Sequence, residues 1–209
     1  MATGAAWRRD GVGRSRQAPL KGLEQAHVLT PDDLMAGTEA SGPVVLYDDD
    51  HYYMGGVLAE LLAKEGFAVS VVTPAAEVST WMRMTMEQFF VQQRLVNMGV
   101  RIVSHHSLAG AAGAQVTIAC GFTNREMVID DCSVVTVTAR LPHTALQREL
   151  MSRRDDWQAA GIRSVTLIGD ALAPGSDAGV GSFLLVHQGP TAAAGDGESE
   201  RSISWRGIQ

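Results

Sequence analysis

VVLYDDDHYYMGGVLAELLAKEGFAVSVVT, Val44 to Thr73, decides the fold. Val44–Tyr47 is a continuous apolar run, the pattern of a strand buried on both faces. From Met54 to Lys64 the apolar residues Val57, Leu58, Leu61 and Leu62 fall at helical spacing, and Leu58 and Leu61 are expected to face a sheet. Gly66 ends that helix as its C-cap, and AVSVV at 68–72 is a second strand. Strand, turn, helix and strand make a βαβ unit of nucleotide-binding shape. Yet Asp48, Asp49 and Asp50 stand where a phosphate-binding loop carries glycines.

A dinucleotide site asks two things of such a unit: glycine in the first turn, and an acidic residue at the end of the second strand for the ribose. Here the turn reads Asp48 to Tyr53, with Gly55-Gly56 arriving late, and the second strand ends in Thr73-Pro74. A carboxylate at a helix start accepts unpaired N–H groups and meets the positive end of the dipole, but it fills the place of a phosphate and repels one. Asp49 or Asp50 therefore reads as an internal cap. Two alternatives stay open: the cluster holds a cation or orients His51, or Asp49, Asp50, His51 and Gly55 form a modified nucleotide-site turn.

Outward from this unit, TPDDLMAG (Thr30–Gly37) reads as one helical turn, with Thr30 as N-cap and Pro31 at the first position. Residues 1–40 otherwise show no sustained period. Thr85 to Met98 is a helix with Phe89, Val91, Leu95, Val96 and Met98 on its apolar side, and VRIV at 100–103 is a strand. QVTIA (115–119) and EMVID (126–130) flank GFTNR as a hairpin. SVVTVTA (133–139) is a strand, Thr144–Ala160 an amphipathic helix and VTLIGD (165–170) a buried strand. The expected fold class is α/β, a Rossmann-like parallel sheet with one inserted antiparallel hairpin. After Pro174-Gly175 the pattern stops, and 176–209 reads as a disordered or aberrant tail.

Composition excludes several classes. Hydrophobic residues are 45% and charged residues 19% of 209, which suits a core-forming domain, and the net charge of −6 argues against nucleic acid as a partner. Residues 1–22 hold Arg8, Arg9, Arg14, Arg16 and Lys21 against Asp10, and read as a solvated basic segment. No apolar run reaches the roughly 18 residues of a membrane helix, and the N-terminus lacks the pattern of a signal peptide, so the expected setting is cytoplasmic. Cys120 and Cys132 read as reduced structural thiols, too few for an iron–sulfur cluster. His105-His106 would point to opposite faces of a strand, which excludes a shared metal. Gly11-Val12-Gly13 lacks a strand before it and a helix after it. Tyr52, Tyr53 and Trp81 read as packing residues that could also line a nucleotide cleft.

Three landmarks then fall in order. ATGA at 2–5 resembles the turn by which the flavin domain of glutathione-reductase-like proteins leads into the pyridine-nucleotide domain. TARLPHTAL at 138–146 resembles the crossing back, and VTLIGDALAPG at 165–175 resembles the closing Gly-Asp strand. The Asp-rich turn in DDDHYYMGGVLAELLAKEGF narrows the match. Residues 2–175 resemble the C-terminal region of the trimethylamine and dimethylamine dehydrogenase group, akin to 2,4-dienoyl-CoA reductase and Old Yellow Enzyme-type N-demethylases.

The resemblance implies a division into 1–40, a remnant of the flavin domain and linker; 41–142, a nucleotide-binding domain; and 143–175, the return segment. It implies FAD or ADP contacts at Gly169, Asp170, Thr3 and Gly4 once a complementary half is supplied, with no cofactor held by this chain alone. Intact relatives carry FMN and a [4Fe–4S] cluster on an N-terminal barrel, and neither that barrel nor its cysteines is among these 209 residues. The split flavin remnants are expected to be poorly stable, and residues after Gly175 to reflect a shifted frame or degenerate end. The function expected is the nucleotide-binding portion of a flavin-dependent amine dehydrogenase or enoate reductase, inactive alone and partnered by a barrel-bearing chain or a second copy. The alternative is a non-catalytic adenine-nucleotide-binding or subunit-docking module.

Overall fold

The first strand, β1 (Ala5–Trp7), is short, and the chain next reaches β2 (Val28–Leu29) and α1 (Pro31–Met35). The computed structural model describes residues 1–175, so the expectation for 176–209 lies outside the described residues. Around α1 the capping chemistry is as read. Thr30 Oγ1 accepts from Asp33 N at 3.3 Å, and Asp33 Oδ2 accepts from Thr30 N at 2.7 Å, a reciprocal capping box. Replacing the buried Thr30 by alanine should cost about 1 kcal/mol and replacing it by serine far less, read from urea midpoints.

Val44–Thr73 folds as β3 (Val44–Asp48), α2 (Tyr53–Lys64) and β4 (Val69–Val72). The strands are parallel, with Val44 opposite Val69 and Tyr47 opposite Val72. Alternation divides β3 between two cores. Val44 and Leu46 pack with Leu58, Leu62, Val91 and Leu95 on the helical side, while Val45 and Tyr47 pack with Leu108, Val116 and Ile118 on the other. One expectation is corrected: Leu58 and Leu62, not Leu61, face the sheet, and Leu61 is 42% exposed. Gly55, Leu58, Ala59 and Leu62 form one stripe at helical spacing, and Leu61 sits about 100° round the helix from Leu62.

The third helix, α3 (Gln88–Asn97), starts later than the periodicity implied, after a 3₁₀ turn at Thr80–Arg83. Its inward stripe is Gln88, Val91 and Leu95; Phe89 and Val96, expected on the apolar side, are exposed. It leads to β5 (Arg101–Val103), the last strand on that side of the sheet. Then come β6 (His106–Ala112), β7 (Gln115–Cys120) and β8 (Glu126–Ile129), an antiparallel three-stranded sheet. The β7–β8 hairpin is the one expected, while β6 was missed because HSLAGAA is too poor in branched residues to read as a strand. His105 lies in a turn at φ 54°, so the two histidines are not successive strand residues.

The chain returns through β9 (Ser133–Val137), which enters the parallel sheet between β2 and β3, giving the order β2-β9-β3-β4-β5. Val28–Leu29 thus belongs to this sheet although it precedes residue 41. The fold is α/β, with the parallel sheet between a helical layer and an antiparallel one. Finally β10 (Arg140–Pro142) pairs antiparallel with β1 and leads to α4 (Ala145–Ser152). The helix read over 144–160 is shorter because its carbonyl at Leu150 is taken by the indole N–H of Trp157 at 2.8 Å, and a 3₁₀ turn follows. Residues 165–170 are not the buried strand expected. Apart from the turn that Gly169 O closes with Leu172 N and Ala173 N, their backbone bonds only Met1 among the described residues, through Ile168 N to Met1 O at 2.9 Å and the Met1 amine to Thr166 O at 2.6 Å. One residue of partner cannot make a ladder, and a 3₁₀ turn at Gly169–Ala171 follows.

Candidate functional site

From β3 the chain winds to β4 and β5 on one side, while β9 and β2 lie on the other. The crevice beyond the carboxyl ends of β3 and β9 is therefore the topological switch point, where open α/β sheets bind their ligands. The acidic turn lines it from β3, and Thr138 to Arg140 line it from β9.

Asp48 is fully buried, and its Oδ1 accepts from Asp50 N at 3.2 Å and His51 N at 3.0 Å. It thereby closes the turn. The expected cap is corrected here: the N-cap of α2 is Tyr52, with no side-chain hydrogen bond, and neither Asp49 nor Asp50 supplies one. A Cβ on Gly55 would stand 2.6 Å from the Asp48 carboxylate, so that glycine admits the acid rather than a phosphate. Burial pushes the Asp48 carboxyl up to about 6, against the N–H groups and charge of His51 that favour its ionised form.

Asp49 is also fully buried. Its Oδ2 accepts from the backbone N–H of Ser15 at 2.9 Å, and its Oδ1 lies 3.4 Å from His51 Nε2. Gly13 packs against this carboxylate with no room for a side chain. Asp50, 8% exposed, lines a cleft of about 170 Å³ with Gly13, Arg14, Thr138, Ala139 and Arg140. Burial raises its pKa, while the charges of Arg140 and Arg14 oppose the rise. Arg14 donates from Nε to Asp50 O at 3.3 Å, and its guanidinium lies 4.2 Å from the centre of the Trp81 ring. Ser15 Oγ and Tyr47 OH are 3.0 Å apart, and burial pushes the Tyr47 phenol up to about 12.

The reading of residues 1–22 as a merely solvated segment is thus corrected. Arg8 pairs with Asp10, Arg9 pairs with Asp33 at 2.8 Å, and Arg16 donates to Leu108 O. Arg14, Ser15 and Arg140 were missed as site residues. The signal was present, since a run of basic residues and a run of three acids in one chain are complementary, but spacing alone does not join them.

Around β10 the residues carried by resemblance fall into two groups, Thr3 and Gly4 at His143, and Asp170 at Arg140. Thr3 Oγ1 donates to His143 O at 2.6 Å, and His143 N donates to Gly4 O at 2.9 Å. Asp170 Oδ2 is 2.6 Å from Arg140 Nη1, Arg140 also donates to Gly175 O, and its guanidinium lies 5.1 Å from the Trp7 ring centre. Gly4 and Gly169 adopt φ of 73° and 61°, which suits glycine at both. Tyr52 and Tyr53 pack edge to face at 5.1 Å. Cys120 and Cys132 are free thiols, and hydrogen bonding from the Thr123 side chain brings the Cys120 thiol down to about 7. Among the described residues, no three His, Cys, Asp or Glu side chains converge as metal ligands. Two thiols do not fit a [4Fe–4S] cluster, which takes four.

Comparison with known proteins follows the same lines. A family model described as the OYE-like second alpha/beta domain matches residues 29–126. Dimethylamine dehydrogenase of Hyphomicrobium sp. (strain x) is 29% identical over 195 residues, covering 83% of this chain and 26% of that protein. The structure of histamine dehydrogenase from Rhizobium sp. 4-9 superposes with a TM-score of 0.83 at 39% identity, over 94% of this chain and 31% of the other. The 6-hydroxypseudooxynicotine amine oxidase of Pseudomonas geniculata N1 gives 0.78 at 36% identity, over 87% and 27%. The chain thus spans between a quarter and a third of the length of these relatives.

Proposed function

We propose that this chain, which belongs with the trimethylamine and dimethylamine dehydrogenase-like flavin oxidoreductases, supplies the nucleotide-fold part of an amine-oxidising flavoenzyme and does no chemistry alone. The observation that carries this reading is the pairing of Asp170 with Arg140 of β10, close along the chain to His143, which bonds Thr3 and Gly4. Arg140 holds Asp170 through Oδ2. The other carboxylate oxygen has no donor among the described residues, which suits it to a hydroxyl of FAD or ADP. Bound flavin would supply the electron transfer; these residues would bind and orient its adenylate or ribityl part. FMN and the iron–sulfur cluster belong to other parts of the intact enzyme, and the setting proposed is cytoplasmic. Among the described residues no helix is long and apolar enough to cross a membrane.

A second reading, a docking module, rests on α4, none of whose residues is buried. Leu146 and Met151 of α4 are exposed, as are Leu141 and Leu172, and such apolar surface would suit a complementary half carried by a barrel-bearing chain or by a second copy.

Both readings are tested on the purified chain. With histamine or dimethylamine as electron donor it should reduce no dye. ADP at about 100 times its Kd should raise the unfolding free energy by about 2.7 kcal/mol, and Asp170→Ala should abolish that gain. Turnover by the chain alone would sink the scaffold reading. An ADP response absent, or indifferent to Asp170, would leave docking as the function.

A further inference from the structure

We infer that the switch-point crevice is built to hold this chain's own loop, Gly13–Arg16, and that Asp49 and Arg14 make it refuse a dinucleotide. In a phosphate-binding turn the turn gives backbone N–H groups and the ligand brings the anion. Here the roles are exchanged. The turn gives the anion, the fully buried Asp49 carboxylate, and the loop brings the N–H, that of Ser15 at 2.9 Å. The loop is closed on itself by Gly13 N to Arg16 O at 2.9 Å.

Four elements grip it. Ala139 N, just beyond β9, donates to Val12 O; Tyr47 of β3 meets Ser15 Oγ; Trp81 lies under the Arg14 guanidinium; and Leu108 O of β6 accepts from Arg16. Gly13 fits because a side chain there would overlap the Asp49 carboxylate. Charge agrees with shape: Arg14 of the loop lies against the acidic turn, donating to Asp50 O, and its charge favours the ionised Asp50 carboxylate. A dinucleotide would have to expel this loop and then set its pyrophosphate against those acids, a repulsion strengthened by burial. The loop is therefore a resident ligand, and the crevice is closed to NAD and NADP. This inference is separable from the nucleotide contacts proposed at Asp170, although Arg140, Pro174 and Gly175 line the same cleft as Gly13, Arg14 and Asp50.

Amide hydrogen exchange on the full chain, with and without millimolar NAD+ or NADP+, tests it. The Ser15 amide should be protected, and neither dinucleotide should change exchange at 12–16. Gly13→Ala should speed exchange there by about 10- to 100-fold, the loss of one hydrogen bond to a charged group, while amides of β3 and β9 keep their protection. Gly110→Ala, where a Cβ meets open space, should change nothing at 12–16. Exchange at 12–16 that rises when NAD+ or NADP+ is added would overturn the inference, making the loop a displaceable lid. An unprotected Ser15 in the unmodified chain would overturn it as well. If Gly13→Ala does not fold, the unmodified chain still decides between these outcomes, and Arg14→Ala opens the loop without a steric clash. Failure here is read at Ser15, whereas failure of the proposed function is read at Asp170.

Discussion

Asp48→Ala is expected to lower the unfolding free energy by about 1–3 kcal/mol at mildly acidic pH, because the backbone N–H of His51 loses its buried acceptor and that of Asp50 keeps only Val137 O at 3.1 Å. Asp48→Asn keeps an acceptor oxygen and removes the charge, so its effect has another sign and another pH dependence. The folded-state value of Asp48, about 6, lies above its ordinary 3.8. The folded protein therefore holds that proton more tightly than the unfolded chain. The associated stability is full below about pH 4 and is lost as pH rises through about 6, a loss on the order of 2–3 kcal/mol. Asp50, whose value burial also raises, adds to the same trend. Asp48→Asn should thus match the parent within about 1 kcal/mol below pH 4 and exceed it by about 1–2 kcal/mol at pH 7, after allowance for a buried amide N–H left unpaired. Urea midpoints collected from about pH 4 to pH 8 would check this. Parallel curves for parent and asparagine variant would mean that ionisation of Asp48 carries no penalty in the fold.

Val44–Val72 was legible because two physical rules agree there: an apolar run for a strand covered on both faces, and a helical stripe between two such runs. The Thr30 cap was legible for the same reason, since its chemistry is local. Leu61 was misassigned because an apolar stripe three residues wide does not say which of two adjacent leucines points inward; packing against Val71 and Leu95 decides it. For β6 the obstacle was composition. HSLAGAA has little side chain to bury, and it is a strand because β7 supplies its hydrogen bonds, with His106 opposite Cys120 and Ala112 opposite Gln115.

The acidic turn was legible as an anomaly and not as an answer. Sequence reading could say that three carboxylates repel a phosphate, and that each needs donors. It could not say that Asp48 takes two from its own turn while Asp49 takes one from a residue 34 positions earlier. The basic segment at 8–16 was the missing half of the pattern. Its arginines read as solvated because their partners are distant along the chain and near only in the fold. Residues 165–170 fail in the opposite way: VTLIGD has the composition of a strand, and what it lacks is a neighbour, which composition cannot register.

Arg140→Ala is expected to have an effect of similar size with a different reach. Arg140 is 15% exposed and Asp170 23%, so their ion pair is largely shielded from water. Removing one partner of a buried pair costs about 3–5 kcal/mol, and partial access of water brings the expectation here to about 2–3 kcal/mol. The loss has three sources: the charge pair, the hydrogen bond to Gly175 O, and the stacking on Trp7. The first two tie 166–175 to β10, the third braces Arg140 against β1, and the segment's other hydrogen bonds to the rest of the described chain are its two backbone bonds to Met1. Protease cleavage within 166–175 should therefore accelerate while the parallel sheet stays intact. Arg140→Lys should rescue little, because an ammonium keeps the charge and loses the planar fork that serves Asp170 and Gly175 together. Comparison of Arg140→Ala, Asp170→Ala and the double variant separates the pair from the rest; a coupling near zero would assign the effect to Trp7 and Gly175 instead. The same variant bears on function. An Asp170 no longer aimed by Arg140 should bind ADP more weakly even though it keeps its carboxylate, and an unchanged ADP response in Arg140→Ala would remove Asp170 orientation from the nucleotide site.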